Sequence, residues 1–122
     1  MWIPNKLLAK RIEAIRLDFD SGNVDEYNRP IPTKTVLKHF AEVVPYNNTH
    51  NRELMGITNS LAYRVNLQPN SNVDGDDIIS IDGNAFKIVR NDNFNIIRNT
   101  PLQLIVEYTG QTVDEYIQQK AV

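Results

Sequence analysis

The chain has no cysteine among its 122 residues, which excludes a disulfide framework, a thiolate metal site and a cysteine nucleophile. No stretch approaches the roughly 18–20 consecutive apolar residues that a membrane helix needs. The opening Met1-Trp2-Ile3-Pro4-Asn5-Lys6 lacks the basic region and apolar run of a secretory signal, so neither a leader nor a membrane partner is expected. Net charge is also scarce: 13 Lys and Arg stand against 15 Asp and Glu, formally −2. That balance argues against sequence-independent duplex binding, which rests on many phosphate contacts. The 5 glycines are scattered singly at turns and form no phosphate cradle. What the chain does have in excess is asparagine, 15 of them, more than any other residue type. Asn23, Asn28, Asn47, Asn48, Asn51, Asn70, Asn72 and Asn84 fall in expected loops and turns, where Asn caps backbone and tolerates positive φ.

A chain of this length suits one domain that buries roughly two thirds of its unfolded surface without metal or disulfide staples. The hydrophobic pattern is mostly period two. Ile15, Leu17 and Phe19 alternate with Arg16, Asp18 and Asp20, the signature of a half-buried strand. A phase slip between Ala14 and Ile15 suggests a bulge. A helix over 7–17 is the rival reading, because Leu7, Leu8, Arg11, Ile12 and Ile15 also make a helical stripe. Val36 to Pro45 carries apolar residues on both faces, which predicts a strand covered on two sides, with Phe40 in the core. Leu61, Tyr63, Val65 and Leu67 make a clean alternating strand.

The clearest local signal is a hairpin, with Ile79 and Ile81 leading into Asp82-Gly83-Asn84, then Phe86 and Ile88 leading away. These turn residues accept the positive φ of primed turns. Phe94-Asn95-Ile96-Ile97 is a weaker apolar segment. Leu102, Leu104, Val106 and Tyr108 form a final strand after Pro101, and Thr112-Val113-Asp114-Glu115 fits a capping box opening a short helix. The expected fold is therefore all-β, a small antiparallel barrel or sandwich of five to seven strands, with one or two short peripheral helices and long loops. Residues 1–122 form a single domain, with an extended arm over 1–10 and long loops over 20–35 and 45–60.

The search for chemistry returns little. His39 lies within a strand pattern and His50 in a polar loop, without the partners that a triad or metal site demands. Asn70, Asn72, Asp74 and Gly75 begin like a calcium loop, but Ile81 stands where the bidentate glutamate belongs. Neither metal nor cofactor is expected, and no enzyme activity. An oligonucleotide-binding barrel wants surface aromatics between basic residues, whereas Phe40, Phe86 and Tyr108 occupy apolar-face positions. Loops this long and without chemistry point to contacts with other proteins. The candidate contact residues are Met1, Trp2, Ile3, Pro4, Tyr27 and Tyr46.

The run from Gly75 to Ile88, Gly75-Asp76-Asp77-Ile78-Ile79-Ser80-Ile81-Asp82-Gly83-Asn84-Ala85-Phe86-Lys87-Ile88, resembles a hairpin pattern of small tailed-phage neck proteins. There it precedes a Pro-led final strand, a place filled here by Pro101 to Tyr108. Ile3-Pro4-Asn5-Lys6-Leu7-Leu8 is similar to the start of head-completion (minor capsid) proteins of phages with long non-contractile tails. The resemblance lies mainly in the C-terminal half, and residues 20–60 carry none of it. It implies a structural head-closure, or stopper, protein located in the virion. Such a protein forms a homo-oligomeric ring beneath the portal and its adaptor, retains packaged DNA and docks the tail or its terminator. DNA would pass through the channel without sequence readout, and an acidic loop at Asp74, Asp76 and Asp77 facing that channel would repel phosphates and let the duplex slide. The alternative is a small OB- or SH3-like barrel that binds a ligand or single-stranded nucleic acid.

Overall fold

Asp82 and Gly83 turn the chain as their residue types favour, with φ of +55° and +82°. Two successive left-handed residues are the primed-turn combination whose twist matches flanking strands. The strands on either side pair from Ile81–Asn84 to Ile78–Lys87. The computed structural model describes residues 3–19, 22, 24–28, 31–47, 49–57, 61–69, 71–92 and 101–120. In chain order the elements are β1 (Ala9–Asp18), β2 (Thr33–Pro45), α1 (Thr49–Leu54), β3 (Ala62–Leu67), β4 (Ile78–Ile81), β5 (Asn84–Asp92), β6 (Leu102–Thr112) and α2 (Val113–Lys120). The strands close into a six-stranded barrel in the order β1-β2-β3-β6-β5-β4. All neighbouring strands are antiparallel.

Closure gives each strand an inner and an outer face. The inner face carries Ile12 and Ala14, Ala41, Val65 and Leu67, Ile79 and Ile81, Phe86, and Leu102, Leu104 and Val106. Phe86, the largest of the fully buried side chains, lies between Tyr63 and Tyr108, with ring centroids at 5.5 and 5.4 Å in tilted contact. A second, smaller core lies outside the barrel. There Ile15, Ile78, Ala85 and Val113 meet Leu17, Val36, Tyr116 and Ile117, so α2 covers one patch of the outer face.

This outer core explains the phase slip in β1, and it overturns the expected bulge. The register with β2 runs without a shift from Ala9–Glu42 to Asp18–Thr33. Ile12 and Ala14 point inward, while Ile15 and Leu17 point outward under α2. Apolar residues change phase because the strand is covered on opposite faces along its length. The rival helix over 7–17 is likewise excluded, since Ala9–Asp18 is strand.

The irregularities lie between β5 and β6 instead, with register shifts between Asn84 and Phe86 and between Ile88 and Arg90. At the first, Thr112 pairs with Asn84 and Tyr108 with Phe86, so β6 carries extra residues. Gly110 is among them at φ +83°, a conformation that L side chains adopt with strain. The Thr109 hydroxyl steadies the site, donating to the Ala85 carbonyl at 2.8 Å and accepting from the Gln111 amide at 3.3 Å.

Helix α2 starts where the capping box placed it, but the box is only half formed. The Glu115 amide donates to Thr112 Oγ1 at 3.3 Å, and that hydroxyl donates to the Glu115 carboxylate at 3.0 Å. The first helical amide, from Val113, donates to the Gly83 carbonyl at 3.0 Å, which ties α2 to the β4–β5 turn. Three expected loop boundaries also change. Thr33–Thr35, expected within the 20–35 loop, pair with Arg16–Asp18. The 45–60 segment contains α1. The arm over 1–10 ends earlier than expected, because residues 6–8 form a turn and Ala9 begins β1. The apolar segment at 94–97 lies outside the described residues.

Candidate functional site

The base of the N-terminal segment is fastened to the barrel by one side chain, that of Glu42, and by one backbone hydrogen bond, from Val43. The Asn5 amide donates to Glu42 Oε2 at 2.9 Å, and Asn5 Oδ1 accepts from the Leu7 amide at 3.0 Å. The Leu8 amide donates to the Asn5 carbonyl, and Leu8 in turn accepts from the Val43 amide at 3.1 Å. Glu42 also accepts from Asn66, whose carbonyl oxygen accepts from Gln103, both at 3.3 Å, a polar row across β2, β3 and β6. Ahead of this anchor Ile3 is 76% exposed and Pro4 is half-buried, while Leu7 is 93% exposed. Met1 and Trp2 lie outside the described residues.

Of the two tyrosines, Tyr27 sits on a turn built by Asp25. Asp25 Oδ1 accepts from the Tyr27 amide and its carbonyl from the Asn28 amide, with Asn28 at φ +61°. The Tyr27 ring is thereby presented to solvent, 71% exposed. Tyr46 is half-buried, its amide bonded to the Ala62 carbonyl and its own carbonyl to Arg52.

The acidic segment splits into two roles. Asp77 is buried, and its two oxygens accept from Arg16 Nε and Nη2, both at 3.1 Å. It also accepts from the Asp74 amide at 3.0 Å, while Asp74 Oδ2 lies 3.3 Å from Arg16 Nε. A bidentate guanidinium–carboxylate contact of this kind fixes geometry as well as charge. It pushes the Arg16 pKa up, chiefly through the hydrogen bond to Asp77 against an opposing cost of burial. Asp77 is therefore a structural clamp between β1 and the loop before β4, which removes it from the exposed acidic face. Asp74 and Asp76 remain exposed.

Among the described residues no group of three or more His, Cys, Asp and Glu could hold a metal ion, and Ile81, at the would-be calcium-ligand position, is buried in β4. His39 is half-buried with its Nε2 shut from solvent and unbonded. Burial pushes its pKa down, against a weaker upward pull from the charge of Asp77, so the folded barrel favours the neutral imidazole.

Sequence reasoning missed one surface. Phe40, expected in the core, is 54% exposed. It stands on the outer face of β2 directly opposite Arg11 of β1, and the next outward pair is Glu13 with Lys38. A shallow cavity of about 430 Å³ lies here, bounded by Arg11, Glu13, Lys38 and Phe40 over the backbone of Ile12 and His39. Arg11, Lys38 and Phe40 are exposed. The signal was present in β2, whose even positions Lys34, Lys38 and Glu42 are charged and therefore mark the solvent face that Phe40 shares. A second cleft of about 360 Å³ opens at one end of the barrel. It is lined by Leu7, Leu8, Val43, Tyr63 and Phe86 and rimmed by the Lys10–Asp82 ion pair. No family model matches the chain, and no curated protein matches it.

Proposed function

We propose that this protein is a structural component of the neck of a long-tailed bacteriophage virion, a head-completion protein acting as one subunit of a ring. The reading rests on the resemblance of the 75–88 hairpin, the Pro101-led strand and the 3–8 segment to that family. The observation that carries it furthest is where the exposed apolar side chains lie. Apart from Phe40 on β2, the most exposed large apolar side chains, Ile3, Leu7, Val24, Tyr27, Ile31 and Leu54, lie outside the barrel strands. A closed barrel has no free strand edge for pairing with a neighbour, and such projecting segments offer apolar surface for association in its place. A ring closes by heterologous contacts, in which each subunit uses two different surfaces, and projecting segments on a rigid barrel suit that geometry.

In this reading the ring lies beneath the portal and adaptor, retains packaged DNA and presents its lower surface to the tail or tail terminator. The loop bearing Asp74 and Asp76 faces the channel, where it repels the phosphates of the passing duplex. Arg16 and Asp77 hold that loop in shape without adding to its exposed charge. The protein is a structural part and carries out no reaction.

Electron microscopy of the purified protein mixed with the portal–adaptor complex of the same phage tests this directly. An added ring-shaped layer is expected. A protein that never joins the neck, together with gene-deleted phage whose heads retain DNA and acquire tails normally, would sink the idea.

A further inference from the structure

Single-stranded nucleic acid is recognised by an aromatic ring on which a base can stack, next to cations that meet the backbone. The outer face of β1 and β2 supplies both. Phe40 is an exposed aromatic on a barrel strand, and its cross-strand neighbour is Arg11, with Lys38 two positions along the same strand. Directly opposite residues hold their Cβ atoms about 5 Å apart, and alternate residues of one strand are about 6.6 Å apart. Those spacings put one cation beside the ring and one a base-to-phosphate reach away. Neither Arg11 nor Lys38 makes an ion pair among the described residues. Both cations are free to meet a ligand.

We infer that the Phe40, Arg11 and Lys38 surface is a binding site for single-stranded nucleic acid, with a base stacked on Phe40 and flanking phosphates on the two cations. The cavity of about 430 Å³ over the strand backbone accommodates one nucleotide of the strand. Duplex DNA is disfavoured, because its bases are stacked inside and two cations are too few for tight counterion-driven binding. Glu13, opposite Lys38, sets a limit on affinity by repelling the nearer phosphate. This inference is independent of the neck reading, since it needs no ring and no portal.

Fluorescence anisotropy with a short labelled oligo(dT) at low salt tests it on the intact protein. Binding is expected, weakened about tenfold or more by Phe40→Ala and kept by Phe40→Trp, in line with stacking of about 1–3 kcal/mol per base. Arg11→Gln and Lys38→Gln should each flatten the salt dependence by about one phosphate's worth, and Glu13→Gln should tighten binding. All these side chains except Glu13 are exposed, so unchanged circular dichroism and melting serve as the control on folding. The assignment would be overturned by no binding by the parent protein, equal binding by Phe40→Ala, equal affinity for duplex, or equal affinity for poly-glutamate, which would mark an acidic protein partner instead. Thymidine monophosphate binding as tightly as the oligonucleotide would overturn the strand in favour of a free nucleotide.

Discussion

The molecule carries two apolar cores of different construction. The inner one is enclosed by all six strands and centred on Phe86 between Tyr63 and Tyr108. The outer one, around Ile15, Ile78 and Ala85, depends on a single eight-residue helix lying over the strands. The difference teaches how one strand can serve two environments. β1 contributes Ile12 and Ala14 to the first core and Ile15 and Leu17 to the second, with the change of face falling between the adjacent residues Ala14 and Ile15 on a continuous register. β1 thus helps to anchor an appended element without any break in its own pairing with β2.

The contrast is sharpened by substitution, starting at the centre. Phe86→Ala should lower stability by about 3–5 kcal/mol in a denaturant titration, because it leaves a cavity bounded by rigid strands. Asp77→Ala should come next, at about 2 kcal/mol, since it removes charge-assisted hydrogen bonds from a buried position. It should also raise protease sensitivity near residues 72–77. Ile117→Ala, in the outer core, should lower stability by only about 1 kcal/mol, because that side chain is half-buried. If Ile117→Ala proved as damaging as Phe86→Ala, the two cores would form one cooperative unit.

The smallest effect concerns acid. Burial disfavours the charged form of His39 in the folded barrel, while its unfolded imidazole titrates near the ordinary value of about 6.5. Below that pH the unfolded chain binds a proton the folded chain resists, so His39 lowers stability as pH falls through about 6.5 and beyond. His39→Leu should remove this part of the acid sensitivity and also relieve the unbonded Nε2. Melting temperatures of the two proteins should therefore lie closest near neutral pH and separate toward acid.

Local chemistry was legible wherever a short stretch decides the outcome. Asp82-Gly83 could be read as a primed turn, Thr112 as the start of a helix, and the alternation from Leu61 to Leu67 as a strand. Contacts between distant residues were not. Arg16 and Asp77 are sixty-one positions apart, so their pairing exists only once β1 and β4 lie side by side. Asp77 therefore looked like one more loop carboxylate. Phe40 was misplaced for a related reason. Period two identifies two faces of β2, but which one looks inward depends on the whole barrel, and Val36 and Val44 disguised the outer face as apolar. The proposed channel-facing loop and protein-contact residues would be properties of an assembly, which one chain's pattern expresses only as exposed apolar and acidic side chains.

The seams of the barrel are unequal in length. Ten residue pairs join β1 to β2, whereas only Glu13–Ser80, Ala14–Ile79 and Ile15–Ile78 join β1 to β4. The short seam also unites the residues most distant in the chain among neighbouring strands, so its loop-closure entropy has to be met before any of its hydrogen bonds form. Closing it is the natural last step of folding, and reopening it the cheapest excursion from the native state. Amide hydrogens along Ile78 to Ser80 should then exchange with solvent sooner than those between β1 and β2, as a zip opens from its shortest run of teeth.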